Sequence, residues 1–182
     1  MEKIKTYVLM LSEFFPKAHR KAGMVTCFKY ELYLGQGNNL DCATPQGLSG
    51  FNLSNCKNCI GKTKKLHTIR ANYPLWEKRI KEIQNGRAAL SIRQWHGKPY
   101  RSKQVEIARL TAKDGVGIQK LSFDKDKDGV SSFKFFDIDG RCFDRKTLAN
   151  NDGLSLEDWC DWFRGYDLSK PLAIIHFTKF RY

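Results

Sequence analysis

The chain has 182 residues, a formal net charge of +13 and an aromatic content of 13%. That length and composition suit one domain with a sizeable core and exclude an aromatic-poor, disordered polyelectrolyte. No apolar run approaches the roughly 20 residues of a membrane helix, and Tyr7 to Leu11 is too short for a signal peptide, so a cytoplasmic protein without a membrane partner is expected.

Lys5 to Leu11 reads as a first strand. Gly23 leads to Thr26, a candidate N-cap, and to a short helix from about Cys27 to Leu34 that Gly35 stops. Residues 35–61 are rich in Gly, Asn, Ser and Cys and read as a long loop insertion. Leu66 to Arg70 reads as a strand. Pro74 to Asn85 is the clearest helix, with Trp76, Ile80 and Ile83 on one face and Glu77–Lys81 and Lys78–Glu82 spaced for ion pairs on the other. Pro74 suits its first turn, and Asn85-Gly86 ends it.

Ala88 to Trp95 and Gln104 to Leu110 read as a strand pair about the turn His96-Gly97-Lys98-Pro99. Val116 to Phe123 and Val130 to Ile138 read as two more strands joined by residues 124–129. Asp124, Asp126, Asp128 and Gly129 copy the first half of a calcium loop, but Phe135 stands where a bidentate Glu is needed, so a hairpin turn is expected. Ser155 with Asp158 resembles a capping box for a helix from Leu156 to Arg164. Trp159 and Phe163 share a face of that helix and, with Trp162, read as core, an aromatic wall for a base being the other reading. Leu172 to Phe180 is the closing strand. With no internal repeat, residues 1–182 read as a single domain. Short strands joined mostly by hairpins, with helices at fixed places, suggest an α+β fold built on a small β-barrel with helices at its rim.

Six cysteines occur at 27, 42, 56, 59, 142 and 160. Without a secretory signal a disulfide framework is not expected. Cys56 and Cys59 form a CxxC, but the only nearby further ligands, Cys42 and His67, match no common zinc spacing. Free thiols in a loop, with no metal and no cofactor, are therefore expected.

The most informative stretch is Lys65-Leu66-His67-Thr68-Ile69-Arg70, preceded by Gly61, Lys62 and Lys64. A threonine hydroxyl is a weak nucleophile and needs a base. A lysine serves only when neutral, and bringing its pKa from about 10.4 to near 7 takes roughly 4 kcal/mol. Neighbouring cations and burial act in that direction, and a carboxylate acts against it. Thr68 and Arg70 fall on one face of a strand, so Lys65 has to approach from the turn before it. The same residues also read as an exposed basic strand with a satisfied threonine.

Lys65-x-x-Thr68-x-Arg70 resembles the signature of the ASCH domain, a member of the PUA-like superfamily of small mixed β-barrels. The helix from Thr26 to Leu34, the acidic-Gly turn Asn151-Asp152-Gly153 and the closing Ile174-Ile175-His176-Phe177 follow in the family's order. The resemblance implies a PUA-like barrel and, as in some ASCH proteins, an amidohydrolase acting on N4-acetylcytidine-like substrates. It places Lys65 as the base, Thr68 as the nucleophile and Asp152 as the proton shuttle, one methylene shorter than the family's Glu. Arg70 would orient substrate or stabilise an oxyanion. The 35–61 insertion and the run Arg93 to Gln104 depart from the family's smallest members.

That run interleaves Arg93, Trp95, Tyr100, Arg101 and Lys103, the composition of a surface on which bases stack and cations meet phosphates. With the basic field, it makes RNA, or a nucleotide or nucleoside, the expected ligand. A non-catalytic RNA- or DNA-binding module is the alternative, with Trp95 and Tyr100 as mere hairpin packing a further one.

Overall fold

Residues 4–37, 63–125 and 131–182 are described by the structure, a computed structural model. In chain order they form β1 (Lys5–Met10), α1 (Phe28–Gly35), β2 (His67–Arg70), α2 (Tyr73–Gln84), β3 (Ala88–Trp95), β4 (Gln104–Leu110), β5 (Gly117–Lys125), β6 (Ser131–Ile138), β7 (Arg141–Cys142), α3 (Arg145–Asn151), α4 (Leu156–Trp162) and β8 (Leu172–His176). The α+β class is as expected. The loop read over 35–61 lies outside the described residues from position 38 onward, as do Cys42, Cys56, Cys59 and most of the calcium-like turn.

The strands make two sheets, one of three strands in the order β1-β3-β4 and one of five in the order β2-β8-β5-β6-β7. β1 runs parallel to β3, which the intervening α1, β2 and α2 allow, since a parallel pair needs a long crossover. The larger sheet is antiparallel throughout. Every residue of β8 is buried, as befits a strand between two neighbours with covered faces. No hydrogen-bonded ladder joins the two sheets into a closed barrel among the described residues. A side chain spans the seam instead: Arg70 of β2 donates from Nη2 to the Met10 carbonyl of β1 at 2.6 Å.

α2 follows its sequence pattern, burying Trp76, Ile80 and Ile83 against β3, β5 and β8, with Asn72 capping the Leu75 N–H at 3.3 Å. The buried apolar residues of both sheets and all four helices join one core cluster.

Four elements differ from the sequence reading. The N-cap position of α1 is Cys27, in a left-handed conformation, while the Thr26 hydroxyl donates to the Ser12 carbonyl at 2.8 Å and accepts from the Phe28 N–H at 3.4 Å. α3 and β7 carry no apolar periodicity long enough to announce them. β8 ends at His176, after which the chain folds back and Tyr182 N–H donates to Gln119 Oε1 at 2.8 Å. Cys27 is disulfide-bonded, against the expectation of free thiols, whereas Cys142 and Cys160 are free.

The segment between β1 and α1 is clamped onto α4. Arg20 donates to Asp158 Oδ1 at 2.8 and 3.1 Å, Lys21 to Asp158 Oδ2 at 2.6 Å, and the Arg20 N–H to Asp161 Oδ2 at 2.6 Å. Asp158 is also held by its own helix cap, Ser155, so one carboxylate ties a loop to a helix start. No helix among the described residues is long and apolar enough to cross a membrane.

Candidate functional site

The cleft is built where α1, the entry to β2 and the α3–α4 turn meet. Lys65 lies in the coil just before β2. Its N–H donates to the Glu31 carbonyl of α1 at 2.9 Å, and the next N–H, of Leu66, to the Asn151 carbonyl of α3 at 2.8 Å. Two glycines permit this approach. A Cβ at Gly35 would collide with the Lys65 carbonyl, and one at Gly153 with the Glu31 carboxylate, and Gly153 also adopts a φ of +79°. The turn geometry thus brings Lys65 in from outside the strand.

Lys65 is 1% exposed. Its Nζ donates to Asp152 Oδ1 at 2.6 Å and to the Asp152 carbonyl, and sits 3.9 Å from the centre of the Phe28 ring. Asp152 caps the end of α3 and is equally buried. Burial pushes the lysine pKa down, the Asp152 carboxylate opposing it, and burial pushes the Asp152 pKa up, the lysine opposing it. Both shifts bring the two groups' proton affinities together. A buried pair so placed can pass a proton between its members at far lower cost than an exposed pair.

Thr68 is on β2, facing the same cleft. No hydrogen bond joins it to Lys65 among the described residues; its Oγ1 accepts instead from Arg70 Nη1 at 2.8 Å. Arg70 spends its other Nη contacts on the Ile69 and Met10 carbonyls. As placed, Arg70 is committed to the Thr68 hydroxyl and to two backbone carbonyls. A cationic donor on a hydroxyl oxygen eases the growth of negative charge there.

The cleft is narrow, with room for about one water molecule, and its lining includes Ser12, Lys65, Thr68, Arg70 and Asp152. Phe28, Trp162 and Phe163 supply an aromatic wall, the Phe28 and Trp162 rings lying 5.5 Å apart. Sequence reasoning missed Phe28 and read Trp162 and Phe163 first as core and second as an aromatic wall. The available signal was that Trp162 falls off the face shared by Trp159 and Phe163.

A polar relay backs the acid. His67 Nε2 lies 2.7 Å from the Tyr182 hydroxyl, which also accepts from Asn151 Nδ2 at 3.1 Å. With Asn151 donating, the hydroxyl proton is satisfied only by pointing at His67 Nε2. That assigns the proton of the neutral imidazole to Nδ1, which lies 4.0 Å from Asp152 Oδ1, beyond hydrogen-bond reach, and has no hydrogen-bond partner among the described residues. His176, directly across the ladder from His67, is also fully buried, and both of its ring nitrogens lack hydrogen-bond partners. Burial drives the His67 pKa well below its ordinary value and that of His176 to about 3.

The remaining candidates lie on the β3–β4 hairpin. Arg93 is half-buried on β3, Trp95 is half-buried at its end, and Tyr100, Arg101 and Lys103 are exposed at the tip. They do not line the cleft. Among the described residues no three His, Cys, Asp or Glu side chains gather where they could hold a metal ion. No family model, curated protein or solved structure matches the chain.

Proposed function

We propose that the cleft hydrolyses the amide of a modified cytosine of the N4-acetylcytidine kind, on an ASCH-like scaffold of PUA-like descent. One observation carries the reading: a buried Lys65–Asp152 pair and an Arg70-bound Thr68 hydroxyl share one aromatic-walled cleft. The Arg70 bridge across the β1–β2 seam is in keeping with a barrel-like scaffold. In the reactive state Lys65 passes a proton to Asp152 and becomes an amine. The amine takes the Thr68 proton as Oγ1 bonds to the acyl carbon. The C–N bond then breaks, and the departing cytosine amine takes the proton from the Lys65 ammonium. An acetyl ester is left on Thr68. Water, deprotonated by the same amine, adds to the ester carbon, the bond to Thr68 Oγ1 breaks, Oγ1 takes the proton back from the Lys65 ammonium, and acetic acid leaves.

Purified protein incubated with N4-acetylcytidine is expected to release cytidine and acetate, and Thr68→Ala to lower kcat by at least about a hundredfold, the scale of losing a nucleophile or its activation. No release, or equal release by Thr68→Ala, contradicts the reading. The exposed Trp95 and Tyr100 rings favour a second reading, a non-catalytic RNA- or DNA-binding module centred on the hairpin. It is supported if nucleic acid binds and no acetyl-cytidine substrate is turned over.

A further inference from the structure

We propose that the loop between β1 and α1 is a lid over the cleft, seated on Trp162 and latched to α4 by Arg20 and Lys21, whose release admits substrate. The proposal rests on the reading of the cleft as a site that takes a substrate, and it names how entry to that site is controlled.

As placed, the cleft is shut. A space that holds about one water has no room for a six-membered ring. Ser12, at the root of the loop, lines the cleft itself. Trp162, the last residue of α4, is half-buried and forms part of the wall. Its ring lies 5.5 Å from that of Phe28, which also lines the cleft, and 5.7 and 6.1 Å from Phe15 and His19 of the loop. Phe15 and His19 are buried and stack on each other at 4.4 Å, so the loop meets Trp162 with one paired aromatic block. With the loop lifted, Trp162 loses two of its ring neighbours and can give way.

The loop is tied within itself and can move as one piece. The Phe15 N–H donates to the Met24 carbonyl at 2.9 Å, the Gly23 N–H to the Phe15 carbonyl at 3.1 Å and the Thr26 N–H to the Glu13 carbonyl at 2.9 Å. From Phe15 to Met24, the hydrogen bonds that leave the loop for other described residues all end on α4. They are the bonds of Arg20 and Lys21 to Asp158 and Asp161, with His19 Nε2 3.0 Å from the Asp158 carbonyl. The carboxylate of Asp158 is buried, while the Arg20 and Lys21 side chains stay nearly half exposed. Water and salt therefore reach the cationic half of the latch. Lifting the loop also bares the apolar Phe15, so the closed state dominates and the latch sets how rare opening is.

The test uses the full chain and the reactivity of Lys65. Its amine is buried in the closed cleft, so acetic anhydride reaches it only when the lid is open, and mass spectrometry of the Lys65 peptide reads the rate. Arg20→Gln combined with Lys21→Gln is expected to raise that rate about tenfold, the scale of two partly exposed ion pairs. Arg20→Lys, which keeps a cation, is expected to stay near the parent. Raising KCl from about 0.05 to 1 M is expected to speed acylation of the parent chain and to leave the double variant nearly unchanged, because screening acts through the pairs the variant lacks. The salt series on the parent stands whether or not the variant folds. Amide exchange in β8 is followed alongside, since the central strand opens only with the whole fold. Acylation that tracks β8 exchange, or that salt and the double variant both leave unchanged, overturns the proposal. Turnover of N4-acetylcytidine is read separately. The double variant's kcat/KM is expected to rise about tenfold, in step with the open fraction. Faster acylation with an unchanged, non-zero kcat/KM means that the loop does not control entry, and overturns the proposal. Faster acylation with no turnover in either chain leaves the lid standing and contradicts the hydrolytic reading. Turnover in both chains with unchanged acylation overturns the lid alone.

Discussion

Replacing Lys65 by methionine is expected to lower folding stability by about 3–5 kcal/mol, because it strands a buried carboxylate without its cation. Lys65 Nζ is the hydrogen-bond donor to Asp152 Oδ1, at 2.6 Å, and both side chains are nearly inaccessible. The Coulombic gain of such a pair is largely offset by the desolvation of both ions, so removing one partner costs far more than removing both. Lys65→Met combined with Asp152→Leu is therefore expected to recover most of the loss. The single variant's deficit should also shrink in acid, since the abandoned Asp152 escapes part of the cost by taking up a proton. Urea denaturation at neutral and acidic pH reads all three quantities. A single substitution that costs under about 1 kcal/mol, or a double variant no better than the single, contradicts the picture of a desolvated pair. If the double variant is as stable as the parent, the pair contributes little net stability, in keeping with a chemical role.

The second large effect is acid sensitivity from the paired histidines. The folded-state pKa of His176 is depressed from 6.5 to about 3, by burial first and by the Arg181 charge second. A depressed pKa means that the unfolded chain binds a proton that the folded chain does not. The stability this residue contributes is thus present above pH 6.5 and is lost as pH falls toward 3. The loss runs at about 1.4 kcal/mol per pH unit and reaches about 2 kcal/mol at pH 5. His67, shifted in the same direction by burial, then by His176 and Lys65, adds to it. His176→Leu removes one titrating group from a site that leaves both ring nitrogens without partners. Its unfolding free energy is expected to fall less steeply between pH 7 and 5 than that of the parent. Parallel curves would contradict the burial account of His176.

Much of this site was legible because its chemistry sits in one short stretch. Lys65, Thr68 and Arg70 lie within six residues, and strand periodicity alone requires the lysine to enter from the preceding turn. Asp152 came from a resemblance, not from spacing, and the structure puts it at the end of a helix that the sequence did not announce. α3 has seven residues, two of them terminal asparagines, and its start depends on Asp144 accepting from the Thr147 N–H at 2.8 Å. Such a helix forms because tertiary contacts bury Leu148 and Ala149, which local propensity cannot reveal. The pairing of β1 with β3 and of His67 with His176 joins positions far apart in the chain, and no local pattern encodes either register. The role of Arg70 was hidden for a related reason. Two of its acceptors, the Thr68 hydroxyl and the Ile69 carbonyl, are local, but the third, the Met10 carbonyl, comes within reach only once the two sheets meet.

The polar relay behind Asp152 was equally invisible. His67 figured in the sequence as a poorly spaced zinc candidate, yet its ring is fully buried, with the Tyr182 hydroxyl on one side and Asp152 4.0 Å away on the other. Phe28, Trp162, Thr68 with its Arg70 donor and the Lys65–Asp152 pair line one cleft, and His67 lies beside the pair. In the proposed chemistry Thr68 attacks while Lys65 and Asp152 exchange a proton.

Mass spectrometry of the protein quenched in acid soon after mixing with N4-acetylcytidine tests that claim most directly. The account predicts a transient gain of one acetyl group on the peptide carrying Thr68, absent from Thr68→Ala and accompanied by release of cytidine. Cytidine release with no acetyl group on that peptide at any mixing time, or an acetyl group on another residue of the wild-type chain with Thr68→Ala fully active, would contradict it.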